Sequence, residues 1–211
     1  MELITGLIDF ILHVDKHLIE IIRDYGTWTY LVLFMIIFSE TGFVVTPFLP
    51  GDSLLFVIGA LGATHALNFP VTLILLIVAA VGGNTLNYFI GRKIGHKILA
   101  MKNSRLINKE YLHKTHAFYH KHGGKAIILS RFLPIIRTFA PFVAGLGKMK
   151  FMKFTFFNMI GGMAWVLLFM FAGYFFGNIP AVKNNFTYVI FGIIFVSVLP
   201  SVIPYIRSKL K

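Results

Sequence analysis

The sequence contains no cysteine and few charged residues, and both shortages narrow the classes of protein it can encode. Without cysteine the chain cannot form disulfides, use a thiol in catalysis or bind a metal through thiolates. Only 13% of its 211 residues are charged, whereas soluble domains average about 25%. Hydrophobic residues make up 57% of the chain and the mean hydropathy is +0.78. This composition is typical of an integral membrane protein.

Acidic residues are scarcer than basic ones. Eight Asp and Glu face 20 Lys and Arg, which gives a net charge of +12. Such an excess can indicate nucleic acid binding, but in so apolar a chain it favours anionic lipid headgroups and basic cytoplasmic loops. We therefore expect a single polytopic membrane domain over residues 1–211, with no nucleic acid partner.

Two of the few acids lie in an apolar setting. No Asp, Glu, Lys or Arg occurs in residues 27–39 before Glu40 or in residues 53–66 after Asp52. An ionisable group at membrane depth is costly and marks a candidate functional site. Between the two acids, Pro47 and the Pro50-Gly51 turn cannot continue a regular helix. A broken backbone within a membrane is tolerated where it is buried in protein or lines a cavity.

The rest of the chain is predicted to form helices of different kinds. Residues 1–24 alternate apolar and charged positions at helical spacing, which predicts an amphipathic helix in the membrane interface rather than a cleavable signal peptide. Ala126–Gly147 contains Arg131, Pro134, Arg137 and Pro141, so it is predicted to be broken and charged. The remaining apolar segments are Thr27–Phe43, Ser53–Ala66, Phe69–Ile90, Phe151–Phe176 and Phe186–Tyr205.

The distribution of basic residues favours two segments that do not cross. Residues 92–125 carry nine Lys or Arg and one acid, Glu110. If every apolar segment crossed from a cytoplasmic N-terminus, these charges would lie outside, against the positive-inside rule. If the segments around Pro50 and Pro134 enter the membrane and return, the basic segment and both termini face the cytoplasm. About four spanning helices then remain.

A short internal repeat supports this interpretation. Phe48-Leu49-Pro50 is followed by Gly59-Ala60-Leu61-Gly62, and Phe132-Leu133-Pro134 is followed by Ala144-Gly145-Leu146-Gly147. Two similar broken segments that enter from opposite sides are typical of an inverted repeat. We therefore expect an all-α integral membrane protein with two re-entrant helical hairpins that face each other.

These residues resemble the DedA family, which is related to the VTT or SNARE-associated domain proteins. The resemblance rests on these positions, in order: Glu40, Pro47 to Asp52, Tyr88 to Arg92, His122-Gly123, Ser130 to Arg137 and Ala144-Gly145. It implies facing re-entrant hairpins, residence in the bacterial inner membrane and dependence on the proton motive force. It also implies lipid movement, of undecaprenyl phosphate in bacteria or phospholipids in eukaryotic relatives. The family's essential residues correspond to Glu40, Asp52, Arg131 and Arg137.

The roles of these four residues are hypotheses. Glu40 and Asp52 are candidates for proton coupling, and the alternatives are a structural ion pair for Glu40 and a helix N-cap for Asp52. Arg131 and Arg137 are candidates for binding a lipid phosphate, because a guanidinium fork suits phosphate and carboxylate alike. The alternative is that the two arginines only form ion pairs with Glu40 and Asp52. Proton binding would release an internal ion pair, and the lipid would return to the cytoplasmic leaflet.

Other functions are kept as alternatives. A proton-coupled exporter of small cations or drugs would use Glu40 and Asp52, but two arginines would neutralise such a site. An enzyme acting on lipid phosphate needs a base oriented by a partner, and Glu110 is the only acid after Asp52. A metal site at His113, His116, His120 and His122 conflicts with the many lysines around it. We expect no cofactor, and a homo-oligomer is compatible with the sequence.

We predict that residues 92–125 and the C-terminal tail are cytoplasmic. Because the chain has no native cysteine, Lys109→Cys gives a single labelling site. A membrane-impermeant maleimide should label it only after the cells are opened. Labelling from outside intact cells would overturn the re-entrant topology.

Overall fold

The computed structural model describes residues 14–43, 51–100, 123–183, 185, 188–193 and 195, and the secondary structure within them is helical throughout. This agrees with the predicted all-α class. In order, the helices are α1 (Val14–Tyr25), a 3-10 turn (Gly26–Trp28), α2 (Thr29–Gly42), α3 (Gly51–Ala63), α4 (Phe69–Ala100), α5 (Lys125–Ser130), α6 (Pro134–Leu146), α7 (Phe151–Phe176) and α8 (Pro180–Lys183). Residues 188–193 are also helical.

The chain divides into two compact units. The first unit comprises Met1–Ile37, Phe48–Ile77 and Trp165–Lys211, and the second comprises Phe38–Pro47 and Val78–Ala164. Helices α2, α4 and α7 therefore each contribute residues to both units. The single membrane domain expected over residues 1–211 stays a prediction.

Two of the described helices are long and apolar enough to cross a membrane. They are Phe69–Ile94, within α4, and Phe151–Phe176, which is α7. Each has 26 residues, and at about 1.5 Å per residue this exceeds a hydrocarbon core of about 30 Å. The second has the predicted bounds, and the first extends past the predicted Ile90. Asn68 caps the start of α4, since its Oδ1 accepts from the backbone N–H of Val71 (3.2 Å).

The predicted span Thr27–Phe43 is shorter than expected. Its α-helix, α2, has 14 residues, fewer than the ~20 that a span needs. Gly26 has a φ of +51°, and the 3-10 turn from Gly26 to Trp28 separates α2 from α1. Helix α1 confirms the predicted N-terminal helix from residue 14 onward, with Leu18 buried and Glu20 exposed. Residues 1–13 and most of Phe186–Tyr205 lie outside the described residues.

The predicted break in Ala126–Gly147 is confirmed. Helix α5 ends at Ser130 and α6 begins at Pro134, and Leu133 between them is extended (φ −120°, ψ 101°). Proline suits the first position of a helix, and it forces the residue before it out of the helical region. Pro141 lies inside α6. Pro47 and Pro50 lie outside the described residues, and Gly51 is the first residue of α3.

In the first unit, α3 and α7 pack backbone against backbone. A Cβ added at Gly59 would overlap the carbonyl oxygen of Met170, and one added at Gly173 would overlap the carbonyl oxygen of Phe56. The contact is reciprocal, because each helix places a glycine against the carbonyl that lies three residues before the other helix's glycine. Small residues of this kind let membrane helices approach closely.

In the second unit, α4 and α6 make a contact of the same kind. A Cβ at Gly91 would overlap the carbonyl oxygen of Phe142, and one at Gly145 would overlap that of Tyr88. Gly59 and Gly145 belong to the two copies of the short repeat found in the sequence. Each copy therefore contributes a glycine to a close helix contact, although the two glycines differ by one position within the repeat.

We predict that Gly145→Ala and Gly59→Ala both destabilise the folded protein. The added Cβ meets a backbone carbonyl that cannot rotate away, and overpacking of this kind costs about 1–3 kcal/mol or more. Thermal unfolding of the purified protein in detergent should show a lower midpoint for both variants. Gly192→Ala is the control, since no atom lies within 4 Å of the Cβ that it adds. An equal midpoint for Gly145→Ala and Gly192→Ala would contradict the packing described here.

Candidate functional site

A buried ion pair lies in the second unit. Glu40 is in the last turns of α2 and is 1% exposed, and Arg137 is near the start of α6 and is 3% exposed. Arg137 Nη2 donates to Glu40 Oε1 at 2.5 Å. The C-terminal end of a helix disfavours a negative charge. Arg137 therefore offsets both the burial of the carboxylate and the unfavourable helix dipole.

Asn87 positions the backbone on both sides of this pair. Its Nδ2 donates to the carbonyl oxygens of Thr138 (2.8 Å) and Thr41 (3.3 Å). Thr41 follows Glu40 in the chain, and Thr138 follows Arg137. One buried amide on α4 thus holds the residues next to both members of the ion pair, which links α2, α4 and α6 within the second unit.

Arg131 lies in the turn between α5 and α6 and is 1% exposed. Its Nη2 donates to Asn158 Oδ1 (2.6 Å) and to the carbonyl oxygen of Ala80 (3.2 Å). Both acceptors are neutral. The charges of Arg137 and Glu40 are close enough to act on the Arg131 guanidinium, the former unfavourably and the latter favourably.

The Asn84 amide places another neutral oxygen beside Arg131 Nη2, whose two hydrogens are then shared among three acceptors. With its oxygen toward Arg131, Oδ1 accepts from Nη2 at 2.7 Å and Nδ2 donates to the Thr41 carbonyl at 3.3 Å. In the opposite orientation Nδ2 would donate to Asn158 Oδ1 (3.0 Å), but it would then face the guanidinium, donor against donor. In the first orientation the oxygens of Asn84 and Asn158 lie 3.0 Å apart and both accept from the Nη2 between them. The neighbours of an amide decide its orientation. They favour the oxygen toward Arg131.

The two arginines therefore differ in what holds them. Arg137 is neutralised directly by a carboxylate. Arg131 is held by neutral oxygens, and among the residues that the structure describes its Nη1 is buried with no hydrogen-bond partner. A buried charge without a full set of partners is costly. Nη1 is a donor that an anionic oxygen would satisfy.

Asp52 lies in the first unit, in the first turn of α3, and is 8% exposed. Its Oδ1 accepts from the indole N–H of Trp165 at 2.8 Å. Because α3 begins at Gly51, Asp52 is inside the first turn rather than at the N-cap position given as an alternative. A negative charge is favourable there, since the helix N-terminus carries partial positive charge.

The structure brings together three of the four predicted polar site residues, Glu40, Arg131 and Arg137, in one unit. The sequence analysis missed the amides that hold them, Asn84, Asn87 and Asn158. A signal was available, because all three lie inside long apolar segments where polar side chains are costly and hydrogen-bond to neighbouring helices. The proposed roles of the site residues stay predictions.

Within the described ranges, no group of three or more His, Asp or Glu side chains is arranged to hold a metal ion. His113, His116, His120 and His122, which raised the metal alternative, lie outside those ranges.

The chain is similar to known proteins of one family. Residues 49–175 match the VTT domain family. Protein DedA of Escherichia coli K12 is 57% identical over 211 residues, which cover 99% of this chain and 96% of that protein. This chain belongs to the DedA family.

Other members are similar over most of the chain. The membrane protein ML0287 of Mycobacterium leprae is 44% identical over 169 residues, 80% of this chain and 76% of that one. The inner membrane protein YqjA of Escherichia coli K12 is 37% identical over 180 residues, 85% of this chain and 81% of that one. No solved structure matches the chain. Together with the apolar helices, the family identifies this DedA-family chain as a membrane protein.

We predict that Arg137→Gln destabilises the DedA-family chain and that Glu40→Gln in the same protein restores much of the loss. The single change leaves a buried carboxylate without its counter-ion, which costs about 3–5 kcal/mol in proteins, whereas the double change leaves no lone charge. Thermal midpoints and yields of monodisperse protein for the two single variants and the double variant form a thermodynamic cycle. Additive effects would contradict a direct ion pair.

Proposed function

We propose that this protein is a lipid transporter rather than an enzyme. It moves undecaprenyl phosphate, or another anionic phospholipid, between the leaflets of a bacterial inner membrane, and the proton motive force drives it. The observation that carries the proposal is the buried Arg131 guanidinium, held by neutral oxygens and with Nη1 unpartnered within the described residues. A phosphate oxygen is a suitable partner for such a donor.

The charge of the cluster supports an anionic substrate. Among the described residues of the second unit, the buried charges are two guanidinium groups and one carboxylate (Arg131, Arg137 and Glu40), which leaves an excess of one positive charge. A lipid phosphate would supply the missing negative charge. A cationic substrate would raise the excess, and Glu40, its natural ligand, already binds Arg137. Support for the alternative cation exporter is correspondingly weaker.

The same cluster suggests how protons couple to lipid movement. Protonation of Glu40 removes its charge and releases Arg137 from the ion pair, so the excess positive charge rises from one to two. An anionic headgroup then becomes the better partner for Arg137. When the headgroup leaves, Glu40 loses its proton and the pair re-forms. Proton and headgroup therefore move in the same direction, toward the cytoplasmic leaflet.

The proposal includes two re-entrant hairpins. The helices α3 and α6 are apolar but too short to span, and α6 follows a break at residues 131–133. Each packs against a membrane-length helix through a reciprocal glycine contact, α3 on α7 and α6 on α4. We infer that these short helices are the returning limbs of an inverted repeat. The hairpins would bring Arg131 and Arg137 to membrane depth, and the lipid tail would remain in the bilayer.

The decisive experiment is transport of defined lipids by purified protein in proteoliposomes. We predict that undecaprenyl phosphate moves faster when the donor side is acidic and that Glu40→Gln abolishes this acceleration. Glu40→Asp should keep part of it, because a carboxyl group remains. Leaflet exposure of the phosphate, measured with an impermeant phosphatase, reports the movement.

Asp24→Asn is the matched control. Asp24 is also a carboxylate close to an arginine, Arg23, but the pair is exposed on α1. The control should leave transport and its pH dependence unchanged. Normal acceleration in Glu40→Gln would show that this acid is not the proton carrier. Failure of the unaltered protein to move any phosphate-bearing lipid would contradict the proposed function.

A further inference from the structure

A recess formed by α4 and α7 holds the Arg131 guanidinium. On α7, a Cβ at Gly162 would lie 3.3 Å from Arg131 Nη2, and a Cβ at Gly161 would lie 3.5 Å from Arg131 Cδ. Asn158, one turn earlier on the same helix, supplies the acceptor at 2.6 Å. The recess is lined by Ala80 and Asn84 of α4 and by Asn158, Gly161 and Gly162 of α7.

The Asn158 amide can present only its oxygen to Arg131. Its Nδ2 donates to the carbonyl oxygen of Val81 (3.0 Å) and to Thr85 Oγ1 (3.3 Å). A carbonyl oxygen accepts and cannot donate, so the NH₂ group must face Val81. Asn158 is fully buried. Its orientation is therefore fixed by α4, and this orientation fixes the position of Nη2.

We infer that Asn158 is a positioning residue that makes the site selective for anionic headgroups. The inference rests on the proposed function and concerns a residue outside the four predicted site residues. Asn158 anchors one end of the guanidinium through a neutral oxygen, so that Nη1 keeps both its place and the attraction of an unneutralised charge. The ligand class that this geometry fits is a phosphate monoester on a lipid.

The distinction between amide and carboxylate is central to this inference. Aspartate has nearly the same shape as asparagine but would place a negative charge about 2.6 Å from Nη2, the distance now occupied by the amide oxygen. The resulting buried ion pair would cancel the charge of Arg131. The ion pair itself would keep the guanidinium anchored, although aspartate loses the hydrogen bonds to Val81 and Thr85. An incoming phosphate would then gain little from Arg131.

The test is a comparison of lipid binding by the full-length protein in nanodiscs. The probes are fluorescent phosphatidic acid and phosphatidylcholine with identical acyl chains. We expect the unaltered protein to prefer phosphatidic acid and Asn158→Asp to weaken that binding roughly tenfold or more, as for loss of a hydrogen bond to a charged group. Phosphatidylcholine binding should not change. Asn185→Asp, on an exposed residue, should alter neither.

The ratio of the two affinities separates selectivity from stability. A merely structural Asn158 would lower both affinities together with the thermal midpoint. Aspartate at position 158 loses the donors to Val81 and Thr85. Asn84→Asp therefore tests the same point from α4, where the amide oxygen also faces Nη2 and the donor that is lost is the longer bond to the Thr41 carbonyl (3.3 Å). An unchanged ratio in a folded variant at either position would overturn this inference and leave the proposed function intact. No preference for phosphatidic acid in the unaltered protein would instead contradict the proposed substrate class.

Discussion

Among the described residues of the second unit, buried positive charges outnumber buried negative ones. Arg131 and Arg137 are both buried there with one carboxylate, Glu40, which is bound to Arg137. Burying an arginine in an apolar environment is costly unless it finds acceptors. The second unit meets this requirement at Arg131 with backbone and amide oxygens from α4 and α7. These hold the side chain without cancelling its charge, which is the property that an anion-binding site needs.

This requirement explains why glycine and asparagine occur together on the two long helices. Backbone carbonyls and short amides are useful acceptors only if helices approach closely. On α7, Asn158 is followed by Gly161 and Gly162, both of which lie against Arg131. On α4, Gly83 lies against Thr41 and directly precedes Asn84. Glycine provides the space, and the neighbouring amide provides the hydrogen bonds.

The sequence predicted the features that follow from local chemistry. Pro134 predicted the break before α6, and the length of the apolar segment predicted both ends of α7. Charge in an apolar setting predicted that Glu40, Arg131 and Arg137 are buried. Pairing between distant residues could not be predicted in the same way. Nothing in residues 27–52 shows that Glu40 binds Arg137, 97 positions away, while Asp52 accepts from Trp165. A polar residue in an apolar helix marks a buried hydrogen bond but not its partner, and only the fold shows that Asn84, Asn87 and Asn158 converge on the arginines.

The different supports of the two arginines favour different roles in the proposed cycle. Arg131 is anchored by two long helices, so its position changes only if those helices separate. Arg137 lies in α6, four residues before Pro141, which has no N–H to donate to the Arg137 carbonyl. Helices bend most readily at proline. An exchange of partners requires one cation that can leave its carboxylate and one that keeps the headgroup in place. Arg137 fits the first requirement, because Pro141 weakens the helix that carries it. Arg131 fits the second, because it lies outside that helix.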